Sequence, residues 1–231
     1  MKTEGNASTW NFTGKGGLSL ADGSTRGGLY INSALTINIA EGAGGMNVGK
    51  VAVNNAGVTF NINQKNGLYS ATGVATQLCL VGKTVNINLT EDQAFSIDFR
   101  NGSGINLSAT SDANLIFTKI GLISGTNPTT KIKFTEDFAG SLLIDADSIR
   151  SYDVQDKQIV LDQGETPMMT LNISAVTGFD WSTIEWVENY EYEGNTYLKI
   201  GAISAAVPEP AEWAVILGSL ALGLAIYRKR K

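Results

Sequence analysis

An all-β fold is the class the sequence predicts: a right-handed parallel β-helix with a single C-terminal transmembrane helix, or alternatively a β-sandwich. Three observations carry the prediction. The composition suits strands and turns, with 26 Gly against 4 Pro, and its 43% apolar and 17% charged content can bury a core and is not that of a disordered polymer. Short segments alternate apolar and polar residues with period two, and no convincing amphipathic helix intervenes. The starts of the first clear segments, Leu35, Val58 and Val85, lie roughly twenty-odd residues apart, which is the spacing of solenoid coils.

Leu35–Ile39, Val58–Asn63, Val85–Leu89 and Phe95–Phe99 place apolar, often β-branched residues on one side and Thr, Asn, Ser or Asp on the other, the pattern of half-buried strands. Ile105–Leu107, Leu115–Phe117, Ile132–Phe134, Leu142–Ile144, Ile159–Leu161, Met169–Ile173 and Tyr197–Ile200 continue the series, most of them separated by Gly, Asn, Asp or Ser turn chemistry. Glu193-Gly194-Asn195 suits a hairpin joining Glu188–Tyr192 to Thr196–Ile200. Trp181, Trp186, Tyr190, Tyr192 and Tyr197 cluster around it. They read either as a sugar-stacking platform or as a cap on the last coil, and capping is preferred because an uncovered coil exposes core and unpaired edge groups.

Histidine is absent, so Ser-His-Asp, Cys-His and His-zinc chemistry are excluded. The single cysteine, Cys79, precludes an intrachain disulfide, and its apolar run Gln77–Val81 makes it a buried small hydrophobe. Asp145/Asp147, Glu136/Asp137, Asp153/Asp156 and Glu185/Glu188 are paired carboxylates, but glycoside hydrolysis needs two carboxyl groups facing each other across a bond, which proximity in sequence does not supply. No dense calcium loop is present, and Asn101–Gly104 and Gly42–Gly45 read as turns rather than phosphate cradles. No cofactor and no metal are expected.

The C-terminal end carries the most specific signal. Ala211–Tyr227 is apolar except for Glu212 and Ser219, and Arg228, Lys229, Arg230 and Lys231 follow at once. As a helix, Trp213–Tyr227 is roughly 22 Å long, short of a ~30 Å hydrocarbon core, so it spans with snorkelling basic ends or a thinned bilayer. Trp213 and Tyr227 mark its two interfaces, and the basic stop places the C-terminus inside and the body outside. The tail balance is +2, four cations against Glu209 and Glu212, which leaves the body at −7 of a total of −5. An acidic body without basic clusters argues against nucleic acid as a partner. Just upstream, Val207, Pro208, Glu209 and Pro210 form a stiff, extended segment at the membrane surface. The organisation read from the chain is a β-rich body over 1–200, a linker over 201–210, a membrane helix over 211–227 and a basic tail over 228–231.

This order of V-P-E-P, short apolar helix and terminal basic cluster resembles the PEP-CTERM sorting signal of Gram-negative envelope proteins. The resemblance covers Val207–Lys231. It implies an exosortase-type membrane enzyme as partner, with Pro208, Glu209 and Pro210 as its recognition residues, and delivery from the membrane to the cell surface or beyond. Members' hosts typically make exopolysaccharide, a further partner by implication. The same tail resembles the C-terminal segment of proteins called ice-binding, yet the Thr-x-Thr spacing that an ice-binding face needs does not recur. The body is similar to the passenger repeats of autotransporter-type surface proteins.

Such a tail requires export, whereas Met1–Trp10 holds no apolar segment of signal-peptide length, so the expectation is a chain that begins inside a longer protein. The function expected is a non-enzymatic, exported surface or matrix protein. The alternatives are a carbohydrate-active β-helix enzyme using carboxylates with Lys or Arg, and an adhesin binding polysaccharide through the Trp/Tyr-rich region.

Overall fold

The computed structural model describes residues 1–20, 27–71, 74–122, 130–162 and 169–203. The described strands are β1 (Lys2–Thr3), β2 (Ser8–Phe12), β3 (Leu18–Ser19), β4 (Gly28–Ile31), β5 (Leu35–Ile39), β6 (Met46–Asn47) and β7 (Lys50–Val53). Next come β8 (Val58–Ile62), β9 (Leu68–Tyr69), β10 (Thr76–Val81), β11 (Thr84–Leu89), β12 (Gln93–Arg100), β13 (Gly104–Ala109) and β14 (Asn114–Leu122). The last are β15 (Thr130–Phe134), β16 (Ser141–Asp145), β17 (Ile149–Asp153), β18 (Gln158–Leu161), β19 (Met169–Ala175), β20 (Ile184–Tyr192) and β21 (Asn195–Ala202).

They form an all-β fold with large parallel sheets. A first nine-stranded sheet runs β1-β4-β7-β10-β12-β14-β16-β21-β20, a second runs β17-β18-β19-β15-β13-β11-β8-β5-β2, and a short third sheet runs β3-β6-β9. Up to β16 the chain steps between sheets at each strand and pairs in parallel wherever it returns. Antiparallel pairing, which a β-sandwich built of hairpins would show throughout, is confined among the described strands to β16–β21.

The register explains the alternation in the sequence. Val58, Phe60 and Ile62 lie opposite Leu35, Ile37 and Ile39 on one side and Val85, Ile87 and Leu89 on the other. All nine are buried. Because a one-residue slip would turn every one of them outward, the apolar pattern fixes this register. The first sheet contributes in the same way, with Leu78 between Val51 and Ile97, and Phe95 opposite Phe117. Alternate residues of both large sheets join one buried cluster, and each of its large side chains stabilises the fold by ~1.5–3 kcal/mol.

The predicted strands fall within observed ones, except that Val58–Asn63 runs one residue past the end of β8 at Ile62. Cys79 is buried at 2% exposure and alternates with the core residues Leu78 and Leu80, beside Ala52 and Asp98 in register. Burial pushes its thiol pKa up, so it behaves as the apolar group the sequence suggested. The hairpin at Glu193-Gly194 is also present: both residues have positive φ, 49° and 79°, as a two-residue turn matched to strand twist requires.

Candidate functional site

The sorting segment Val207, Pro208, Glu209 and Pro210, the anchor ends Trp213 and Tyr227, and the basic stop Arg228, Lys229, Arg230 and Lys231 lie outside the described residues, as does the expected helix over 211–227. Among the described residues no helix is long and apolar enough to cross a membrane.

Within the body, the most regular polar feature is the outer face of the second sheet. Parallel pairing sets Asn11, Asn38, Asn61 and Asn88 side by side on β2, β5, β8 and β11. Each amide donates back to the one before it: Asn38 Nδ2 to Asn11 Oδ1, Asn61 to Asn38 and Asn88 to Asn61, all at 2.6 Å. A parallel column two residues earlier holds Thr9, Thr36, Thr59, Asn86 and Asn106. There Asn86 donates to Thr59 Oγ1 at 3.2 Å and Asn106 to Asn86 Oδ1 at 2.8 Å. Sequence reading missed this array. Its signal is the recurrence of Thr-x-Asn at Thr9-Trp10-Asn11, Thr36-Ile37-Asn38 and Thr59-Phe60-Asn61, relaxed to Asn-x-Asn at Asn86-Ile87-Asn88.

A trough of about 490 Å³ follows the Asn column across these strands. Ile39 and Leu89, whose side chains are buried in the core, and the half-buried Ala40 lie along it, and the exposed Asn63, Thr90 and Thr110 just past the strand ends complete its lining. Thr90 donates to Asn63 Oδ1 at 3.1 Å. Asp137 is the one charged residue in this lining. It accepts from Thr135 Oγ1 at 2.6 Å, and that hydrogen bond is the main cause holding its carboxyl below the usual range.

The aromatic residues near the C-terminus are drawn into two packing groups. Trp181 and Phe179 lean on Phe134, at ring distances of 6.0 Å each, and Phe134 stacks on Phe138 at 4.0 Å and 7°. Trp186 stacks on Tyr152 at 5.8 Å, and the Tyr152 hydroxyl donates to Glu188, which pushes the phenol up to about 12. Tyr190 and Tyr192 instead pack with Tyr197, Ile116 and Leu143 in a second, smaller cluster. Tyr192 donates to Asp92, which also accepts from the backbone and side-chain nitrogens of Asn114 at 2.9 and 2.8 Å. At the hairpin tip, Glu193 takes a 2.6 Å ion pair from Lys65. A cleft of about 570 Å³ beside this hairpin is lined by Arg150, Tyr152 and Glu188 among others.

Of the paired carboxylates of the sequence, Glu185 and Glu188 go to separate partners. Glu185 pairs with Lys199 at 2.9 Å while Glu188 accepts from Tyr152. Asp153 accepts from the backbone of Gln155 and Asp156, a turn role, and Asp145 accepts from Ser148 Oγ at 2.9 Å with its pKa raised by burial. The most deeply buried acid of the first sheet is Asp98, 5% exposed, which accepts from Gln77 Nε2 at 2.7 Å. Burial raises its pKa, and Arg100 and Lys50 oppose that shift. Among the described residues no group of three or more His, Cys, Asp or Glu could hold a metal ion.

Compared with protein-family models, with curated proteins and with solved structures, the chain matches none.

Proposed function

We propose that this chain is a non-enzymatic, exported surface or matrix protein whose body is a rigid right-handed parallel β-helix, delivered by exosortase-type processing of its Pro208-Glu209-Pro210 tail. The observation that supports the body's role is the sequential stepping of strands between two large parallel sheets, in register, over one continuous core. Parallel crossovers in a sheet are right-handed in nearly all proteins, which gives the hand of the coil. Such a stack resists proteolysis because most of its described backbone is held in strand ladders, and it grows in one direction, which suits a spacer or matrix element. The antiparallel strands at its C-terminal end and the aromatic group on Phe134 act as the cap that keeps coils from adding end to end.

The sorting half of the proposal rests on the sequence of the tail, and its consequence is a body held outside the cytoplasm before release. Intact-mass analysis of the surface fraction, with wild type beside a Pro208→Ala/Pro210→Ala variant, tests it. The expected result is loss of the residues after the Val207–Pro210 region in wild type and retention of the full chain in the variant. An uncut, membrane-held chain in both overturns the sorting assignment and leaves a plain anchor.

A further inference from the structure

We infer that the trough along the Asn38–Asn61–Asn88 column is a binding site for an uncharged, extended polysaccharide of the β-1,4-linked kind. The trough crosses β2, β5, β8, β11 and β13, four strand-to-strand steps of ~4.8 Å, so roughly 19 Å of straight channel. A pyranose in a flat β-1,4-linked chain advances by about one such step, so successive sugars meet successive, chemically equivalent amides. The internal Asn-to-Asn bonds use one N–H and one lone pair of each interior amide, and a primary amide has two of each. One donor and one acceptor on each of Asn38 and Asn61 are therefore left for a ligand, the pair a vicinal diol satisfies. The exposed hydroxyls of Thr90 and Thr110, just past the ends of β11 and β13, add further polar groups along the same trough.

Charge sets the class of glycan. The lining holds no cation and one carboxylate, Asp137, so a polyuronate finds no counter-charge and meets repulsion at one end, whereas a neutral chain meets neither. An extended peptide is a poorer match, because peptides add to sheets through their backbone groups, and here the strands beneath the trough already pair on both sides from β5 to β13. The site is separate from the aromatic cap, where the rings are committed to packing.

The test is calorimetric titration of the full-length chain with cellohexaose and mannohexaose, beside hexagalacturonate. Binding of at least one neutral hexasaccharide is expected, at least ~10-fold tighter than hexagalacturonate. Thr90→Trp fills the trough from an exposed position and is expected to weaken that binding at least ~10-fold with an unchanged melting temperature. Thr110→Trp does the same from the end of β13 and serves if Thr90→Trp misfolds. Trp186→Ala is expected to leave the affinity unchanged. No binding of either neutral hexasaccharide, equal or tighter binding of hexagalacturonate, or binding that survives the trough variants and is lost in Trp186→Ala overturns the inference. None of these outcomes depends on how the tail is processed, so the site and the sorting proposal stand or fall apart.

Discussion

Replacing Phe134 with Ala removes the ring on which the C-terminal aromatic group is assembled. The side chain is fully buried on β15, and truncating such a Phe costs ~3–5 kcal/mol from lost transfer energy and the cavity left behind. Three rings touch it: Phe138 in a 4.0 Å stack, and Phe179 and Trp181 at 6.0 Å. Aromatic pairs add ~0.5–1.5 kcal/mol each beyond area, which places the loss near the upper end, ~4–5 kcal/mol. For a chain of this size ~1 kcal/mol lowers the melting temperature by ~2–4 °C, so a fall of roughly 8–20 °C is expected. Phe134→Leu keeps most of the volume and loses the three ring pairs, for a cost of ~1.5–4.5 kcal/mol. Urea unfolding followed by tryptophan fluorescence reads both quantities, since Trp181 loses its neighbour in the Ala variant. A loss below ~1 kcal/mol for Phe134→Ala, or equal losses for Ala and Leu, refutes the idea that these rings lock the end of the stack.

Two further predictions concern the polar faces. Asn61 holds two ladder bonds at once, so Asn61→Ala is expected to cost ~1–2 kcal/mol by urea unfolding, whereas Asn11→Ala, at the exposed end with one bond, costs less than ~0.5 kcal/mol; equal effects at the two positions would mean that the column adds nothing to stability. The Tyr152 phenol, raised to about 12 chiefly by its bond to Glu188, favours the neutral form in the folded state relative to an unfolded pKa of ~10. Its contribution is therefore complete below pH ~10 and is lost as pH rises through about 12. Wild type should lose stability more steeply across that window than Tyr152→Phe, and parallel pH profiles would contradict it.

Much of the fold was legible because one physical rule, period-two alternation over a buried face, is written residue by residue in segments such as Val58–Ile62 and Val85–Leu89. Several of the strands that escaped are those where the rule has no room to show. The strand β4 is Gly-Leu-Tyr-Ile and β7 is Lys-Val-Ala-Val, four residues each, and β7 buries three neighbours in succession. The strands β3, β6 and β9 are two residues long and gain their identity only from pairing with one another. The Asn column was hidden for a different reason. Its members are 27, 23 and 27 residues apart, because corners of unequal length intervene between strands of equal register. A fixed-period search slides past such a repeat, and a search for one residue type breaks where Thr gives way to Asn along the neighbouring column.

The same stacking that buries alternate residues also limits what the outward ones can be. Parallel strands in register bring equivalent positions within reach of each other at every step, and like charges there repel. A primary amide escapes the conflict because it both donates and accepts, so a column of identical Asn residues is self-complementary in a way that Lys or Asp columns are not. The second sheet follows this logic: Lys133 stands between Asn106 and Ser174 in register, with no ionic neighbour in its column. Charged pairs collect instead at the antiparallel end, where Glu185 meets Lys199 across β20 and β21 and Lys65 reaches Glu193 from the other side of the hairpin tip. A protein built this way acquires a long neutral, hydrogen-bonding face as a consequence of its stacking, and a ligand that repeats at the strand spacing is the kind of partner such a face can read.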